Sequence, residues 1–241
     1  LWRSEQVQRE FGPEYADVCH RSYVLEALTV AEGVRKAVII SNSSDTEIFT
    51  LALNLGLKVK LMGKYKQYTG FSHRLLPSVP GQPVLFYFAL GQTVADAEAM
   101  TEAFLNHRDD VEGQLLGYPD CCTTKFLYRW KEKNNNDHVL DAAIDQGGPG
   151  PVITLPDLGL TNQFFRYAGP RLIFHLPCRF DCPKSIEIAK EHERIEIAHF
   201  GNAKIQKQLS EPFVATYYRG IAEVTTHNIR IVAATDYTAT K

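Results

Sequence analysis

The sequence has few cysteines, no excess of one charge and no long apolar run, and each absence excludes a class of protein. Five cysteines in 241 residues are too few for a scaffold built on disulfides. The formal net charge of −2, from 26 basic and 28 acidic residues, provides no basic field for generic nucleic-acid binding. No apolar stretch approaches the ~20 residues of a membrane-spanning helix, so we expect no membrane insertion.

The start of the sequence lacks the apolar core of a secretory signal. Leu1-Trp2-Arg3-Ser4 leads into a polar, charged segment. We therefore expect a soluble cytoplasmic protein whose thiols are reduced and available to a metal. The oligomeric state has no signature in the sequence.

Apolar patterns of strand and helix type alternate along the chain and predict an α/β fold. Lys36–Ser41 and Leu57–Met62 have strand patterns around a helical pattern at Asp45–Leu55, and such a β-α-β unit indicates a parallel pair. Val84–Leu90 and Arg171–Leu176 are further predicted strands. The prediction is a mixed, mostly parallel sheet flanked by helices.

Two long helical patterns cover Val94–Leu116 and Pro183–Leu209. Gly117 ends the first pattern, and Gly201 could kink the second. Pro119, just after Gly117, predicts the start of another helix.

The Gly- and Pro-rich segment from Gln146 to Pro151 is the clearest linker in the chain. It predicts an N-terminal α/β part over residues 1–146 and a C-terminal α/β part over residues 152–241. The two parts could also pack as one compact domain.

Four of the five cysteines form two pairs at predicted helix starts. Cys121 and Cys122 lie in the first turn of one helix, and Cys182 takes the N-cap of another, four residues after Cys178. Helix N-termini stabilise anions and so favour the thiolate, which is the form that binds metals. The sequence therefore predicts one metal site from both pairs. Cys19 stands alone and is predicted to be a core residue.

An iron–sulfur cluster, 4Fe–4S above all, is the predicted cofactor because such sites tolerate irregular cysteine spacing. A structural zinc is the alternative. Zinc sites favour C-x-x-C pairs, which are absent here, and adjacent cysteines seldom both bind one zinc. One of Cys121 and Cys122 could be a non-ligand, which would leave an open iron. Chance burial of unrelated thiols stays a third alternative.

Polar residues near the cysteines are the candidate catalytic and substrate-binding groups. His175 and Asp120 are candidates for proton transfer. Arg166 and Arg171 could each bind a carboxylate or phosphate through two hydrogen bonds, and Asn162 belongs to the same segment. The set predicts a small anionic substrate. The structural alternative is a helix cap for Asp120 and strand-end residues bonded to carbonyls for His175 and Arg171.

The two cysteine segments, LGYPDCC at 116–122 and GPRLIFHLPC at 169–178 with Cys182, resemble a small prokaryotic family known as domain of unknown function 483. The resemblance covers roughly residues 84–220, and the segment before residue 84 shows none. It implies no established activity, so the functional prediction depends on the residues themselves.

The leading functional hypothesis is an iron–sulfur enzyme without net redox change: a lyase, hydratase or sulfur-removing enzyme with an open iron as Lewis acid. A second hypothesis assigns the cluster to electron transfer or radical generation. The third is a zinc-stapled interaction module, which would unfold when a chelator removes the metal.

Overall fold

The computed structural model describes residues 5–41, 46–66, 77–82, 84–129, 138–167, 169–217 and 220–234. The chain divides into two compact units, a smaller unit of residues 26–118 and a larger unit of residues 1–25 and 119–241. Within the described ranges, no helix combines the length and apolar character needed to cross a membrane.

The elements are given in chain order. The helices are α1 (Glu5–Ala31), α2 (Thr46–Asn54), α3 (Val94–Leu105), α4 (Asp109–Leu115), α5 (Asp120–Leu127), α6 (His138–Gly147), α7 (Pro183–Phe200) and α8 (Lys204–Ser210). The strands are β1 (Ala37–Ser41), β2 (Lys58–Lys66), β3 (Val84–Gly91), β4 (Val152–Thr154), β5 (Phe213–Tyr217), β6 (Gly220–Val224) and β7 (Asn228–Ala234).

The sheet of the smaller unit has the strand order β1-β3-β2, and both strand pairs are antiparallel. Leu90 of β3 pairs with Val38 of β1 on one side and with Val59 of β2 on the other. β1 and β2 therefore run in the same direction, but β3 separates them. The predicted mostly parallel sheet is wrong, because every described strand pair is antiparallel.

Helices cover both faces of this sheet. Successive strand residues point to opposite faces, so Val38 and Leu90 pack in an apolar cluster with residues of α1 and α2. Ala37 and Ala89 pack on the other side with residues of α3 and α4. The smaller unit thus has two apolar clusters, one on each face of its sheet.

The sheet of the larger unit has the order β4-β7-β6-β5 and is antiparallel. Its inner face contributes Ile229 and Val224 to an apolar cluster with α6 and with Phe180 from the loop before α7. On the outer face, Arg230 and Glu223 are cross-strand partners and form an ion pair of 3.0 Å. The core of the larger unit therefore reaches directly under the cysteine-bearing loop.

Left-handed residues divide both long helical patterns. His107, with φ 54°, separates α3 from α4, and Gly201, with φ 80°, is the C-cap of α7. A left-handed residue interrupts the helical hydrogen-bond series. The single helices predicted over 94–116 and 183–209 are therefore each two helices.

Arg171–Leu176, predicted as a strand, has no strand partner in the described structure. The Leu172 carbonyl accepts a hydrogen bond from His192 Nδ1 at 2.7 Å, and the Ile173 carbonyl accepts one from Gln163 Nε2 at 3.1 Å. Because buried side chains satisfy these carbonyls, the segment is buried without a neighbouring strand.

Of residues 147–151, predicted as the boundary between 1–146 and 152–241, Gly147 ends α6 and residues 148–151 form the turn between α6 and β4 within the larger unit. A Cβ atom at Gly147 would lie 2.6 Å from Ile153 Cγ2 and 2.6 Å from the Thr154 carbonyl oxygen. The glycine therefore permits close packing of the end of α6 against β4.

Candidate metal centre

The first cysteine pair lies at the start of α5. Gly117 has φ 69°, and Pro119 takes the N-cap position of the helix. Cys121 and Cys122 are its second and third residues, and the Cys122 N–H donates to the Pro119 carbonyl at 2.8 Å. The prediction that both thiols lie in a first turn is confirmed.

The second pair lies on the loop before α7, and hydrogen bonds fix the backbone of this loop. Cys182 is the N-cap residue of α7, as predicted. The Phe180 N–H donates to Gln146 Oε1 at 2.8 Å, and the Phe180 carbonyl accepts from Thr161 Oγ1 at 2.6 Å. The Phe180 ring is fully buried. The loop between Cys178 and Cys182 is therefore anchored at its middle.

The two pairs converge, and all four cysteine sulfur atoms lie within 4.8 Å of one another. Cys121 Sγ is 3.9 Å from both Cys122 Sγ and Cys182 Sγ, and the latter two are 3.8 Å apart. A disulfide requires about 2.05 Å, so these are separate thiols. Four thiols at these distances can bind a metal ion, with Cys178 as the fourth ligand.

The cysteine cluster has a buried half and an accessible half. Cys122 and Cys182 are buried, whereas Cys178 is half-buried and Cys121 is exposed. The cluster therefore lies at the edge of the core, and its two accessible thiols line a surface depression.

Polar groups contact Cys122 from the buried side. Ser185 Oγ lies 3.3 Å from Cys122 Sγ, and the Cys178 N–H donates to the same sulfur at 3.3 Å. Ser185 Oγ lies 2.8 Å from His175 Nε2, and both residues are buried. With Cys122 ionised, the Ser185 hydroxyl donates to the sulfur and the His175 Nε2–H donates to Ser185. Such outer hydrogen bonds orient a metal-binding thiolate and tune its affinity.

The thiol pKa values differ within the cluster. Burial raises the pKa of Cys122 above its usual range, and burial with the neighbouring thiols of Cys182 and Cys121 raises the pKa of Cys178 to about 11. Burial also acts to raise the pKa of Cys182, but the Ser185 backbone and hydroxyl, with two neighbouring thiols, lower it to about 7. Of these three thiols Cys182 has the lowest pKa, and a metal must displace protons from Cys122 and Cys178.

Both predicted catalytic residues lie near the cysteines in different ways. His175 is linked to Cys122 through Ser185. Asp120 is the exposed first residue of α5, where a carboxylate also stabilises the helix N-terminus. Proton transfer by either residue stays a prediction.

Asn162 and Arg171 have partners other than the four clustered cysteines. Asn162 is buried and donates from Nδ2 to the Leu209 carbonyl at 2.9 Å. The Arg171 guanidinium lies 5.2 Å from the centre of the Tyr23 ring. Arg166 belongs to a 3-10 turn, and its side chain lies outside the described atoms. Anion binding by these residues stays a prediction.

Ser185 and Gln146 are site residues that the sequence analysis did not identify. Ser185 is three residues after the N-cap residue Cys182, and side chains at these two helix positions adjoin. This spacing is the one signal that could have indicated Ser185. Gln146 also donates to Asp181 on the cysteine loop at 3.0 Å, but in sequence it belongs to the predicted linker.

No protein-family model, curated protein or solved structure matches this chain. The resemblance to domain of unknown function 483 stays a prediction. Function is therefore inferred from the geometry of the cysteine cluster.

Proposed function

We propose that this protein binds a single zinc ion through Cys121, Cys122, Cys178 and Cys182, and that the ion fixes the fold of the larger unit. The observation that carries the proposal is the short separation of the four sulfur atoms, none more than 4.8 Å from another. The ion would join the start of α5 to the loop before α7.

The sulfur separations support one ion over a four-iron cluster. Zinc binds thiolates at about 2.3 Å in a tetrahedron, which places the sulfur atoms about 3.8 Å apart. In a 4Fe–4S cluster each thiolate binds a different iron, and the cysteine sulfur atoms are roughly 6 Å apart. The three separations among Cys121, Cys122 and Cys182 are 3.8 to 3.9 Å. The zinc alternative is therefore favoured over the predicted cluster.

Four thiolates also complete the coordination of zinc. Catalytic zinc sites keep one position for water or substrate, whereas structural sites have four protein ligands. All four cysteines lie within reach of one ion, so the donor set fits a structural role. This supports the zinc-stapled alternative over the hypothesis of a lyase, hydratase or sulfur-removing enzyme.

The position of the cluster explains why a metal cross-link would stabilise the larger unit. The loop between Leu176 and Pro183 has no strand partner among the described residues, and hydrogen bonds with Gln146 and Thr161 hold its backbone at Phe180. A zinc ion with four thiolates has a net charge of −2, and the N-termini of α5 and α7 would stabilise that charge. The ion would hold the loop at Cys178 and again at Cys182.

The experiment is metal analysis of the protein purified without chelators, combined with single cysteine variants. We expect one zinc ion per chain in the wild type and its loss in Cys122→Ala. Cys19→Ala is the matched control, because Cys19 is the cysteine outside the cluster, and it should keep its zinc.

Other results would contradict the proposal in distinct ways. Iron and sulfide in equal amounts, with broad absorption near ~400 nm, would support the predicted iron–sulfur cluster and return the enzyme hypothesis to first place. Iron without sulfide would indicate a single iron ion. No metal after reconstitution would exclude a metal site at these thiols.

A further inference from the structure

A groove of about 710 Å³ adjoins the accessible half of the cysteine cluster. Residues of α5 and its continuation, of α6 and of the loop before α7 line it. We call it the α5–α6 groove. Its polar lining includes Cys121, Thr124, Lys125, Arg129, Asp145 and Arg179. Its size is in the range of pockets that hold small organic ligands.

Cations in the groove lining outnumber carboxylates. Asp145 Oδ2 lies 3.5 Å from Lys125 Nζ and 3.1 Å from Arg129 Nη2, so one carboxylate faces two cations. Arg179 has its own partner, because its guanidinium makes hydrogen bonds of 2.9 and 3.1 Å to Asp181. Within the part of the chain that the structure describes, one positive charge of the Lys125–Arg129 pair therefore remains without a carboxylate.

Among the described residues, one hydrogen-bond donor of Arg129 has no acceptor. Its side chain is 1% exposed. Nε and Nη2 donate to Asp145, but Nη1 is buried and has no hydrogen-bond partner among the described residues. A buried guanidinium nitrogen without an acceptor has lost its hydration without compensation, which is unfavourable. An acceptor bound in the groove beside Arg129 would remove that cost.

Compensation of the thiolate charge does not explain Arg129. Eight residues separate Cys121 from Arg129, which corresponds to about 12 Å along a helix. Lys125, one turn from Cys121, is close enough to offset thiolate charge. Arg129 lies about two helical turns from Cys121.

We propose that the α5–α6 groove binds a small organic anion, whose carboxylate or phosphate group lies between Lys125 and Arg129. Arg129 Nη1 and the Lys125 ammonium would donate to its oxygen atoms. Tyr128 and Ala142 also line the groove and would contact an apolar part of the ligand. The site lies on residues other than the predicted Arg166 and Arg171. It goes beyond the proposed zinc site and does not depend on which ion the thiolates hold.

The test is titration of the full-length protein with phenyl phosphate and with inorganic phosphate, followed by amide NMR shifts at constant ionic strength. We expect saturable shifts on α5 and α6, with phenyl phosphate binding more tightly. Lys125→Ala should weaken binding about 10-fold, as expected for loss of one charge-assisted hydrogen bond. Lys190→Ala, which removes an exposed lysine from α7, is the matched control and should bind like the wild type.

A second variant tests the sign of the electrostatic contribution. Asp145→Asn removes the carboxylate that competes with the ligand, so it should strengthen phenyl phosphate binding several-fold. Arg129→Gln should abolish binding, with amide spectra as the check of folding. The proposal is overturned if no saturable shift occurs, or if Lys125→Ala and Asp145→Asn bind phenyl phosphate like the wild type. Zinc content is measured in each sample, so failure of the zinc proposal is seen separately.

Discussion

The two units are stabilised by different kinds of contact. In the smaller unit, helices cover both faces of the sheet, and residues of helices and strands make up most of its two apolar clusters. The larger unit has a long irregular segment between β4 and α7, and side chains such as Gln163 and Gln146 satisfy parts of its backbone. Among the described residues, the metal-ligand cluster occurs in the larger unit alone. The candidate metal site thus lies where backbone pairing is sparse.

The largest expected difference between the two units is their response to metal removal. With a high-affinity chelator, we expect the amides of α5, of the cysteine loop and of α7 to lose hydrogen-exchange protection. Structural zinc contributes about 10 kcal/mol or more in small zinc domains, so the effect on the larger unit should be several kcal/mol. Hydrogen exchange with mass spectrometry, with and without chelator, measures it.

The smaller unit is the internal control for metal removal. Its sheet and both apolar clusters contain none of the four cysteines, so β1 and β3 should keep their protection. Equal loss of protection in both units would show that the metal stabilises the whole chain as one cooperative body. Unchanged protection in both would mean that the thiols hold no structural ion.

The second prediction concerns the hydrogen bonds behind Cys122. Ser185→Ala removes the hydroxyl that lies 3.3 Å from Cys122 Sγ and leaves His175 without that partner. Loss of such an outer contact typically lowers metal affinity 10- to 100-fold. Competition with a chromophoric chelator measures the zinc affinity.

Ser210→Ala is the matched control for this prediction. Ser210 is also a serine of the larger unit, but its hydroxyl bonds to the Gln206 carbonyl within α8. Equal zinc affinities of the Ser185 and Ser210 variants would mean that the Ser185 contact does not tune the site.

Local signals explain which parts of the site could be predicted from the sequence. Pro119 and Pro183 mark helix starts whatever surrounds them, so the first-turn positions of Cys121 and Cys122 and the N-cap position of Cys182 followed from neighbouring residues. The identity of the metal could not be predicted from neighbouring residues. It depends on sulfur separations in space, which the spacing of C-C and C-x-x-x-C pairs does not determine.

The failed predictions involve contacts between residues distant in sequence. β1 and β2 run in the same direction, as the β-α-β pattern indicates. They do not pair with each other, because β3, which begins about 20 residues after β2, lies between them and pairs with both. Arg171–Leu176 has the apolar character of a strand, yet His192 and Gln163 replace the neighbouring strand. Neither partner can be recognised from the segment itself.

The third prediction concerns Glu112, a carboxylate of the smaller unit. Burial, with the nearby charge of Asp109, raises the pKa of Glu112 to about 7. The folded state then holds a proton that the unfolded state releases at lower pH, so stability should fall as the pH rises from about 4.5 to about 7. Glu112→Gln should remove this contribution, on the order of 1 to 2 kcal/mol.

Urea denaturation at pH 5 and at pH 8 measures the effect of Glu112. The exposed Glu102 provides the matched control, because Glu102→Gln should keep the wild-type pH dependence. The prediction is contradicted if Glu112→Gln has the same loss of stability between pH 5 and pH 8 as the wild type. Added zinc should leave the contribution of Glu112 to stability unchanged at both pH values.

The smallest expected effect concerns the start of α3, where the smaller unit depends on a local cap instead of a metal. Thr93 Oγ1 accepts from the Asp96 N–H at 3.1 Å, and the Thr93 N–H donates to Asp96 Oδ2 at 3.1 Å. Thr93→Ala should lower the stability of the smaller unit by about 1 kcal/mol, and Thr93→Ser should retain most of it because the oxygen is kept. The loss should be the same with and without chelator, measured from the exchange of α3 amides. A loss that grows when metal is removed would show that the stabilities of the two units are coupled.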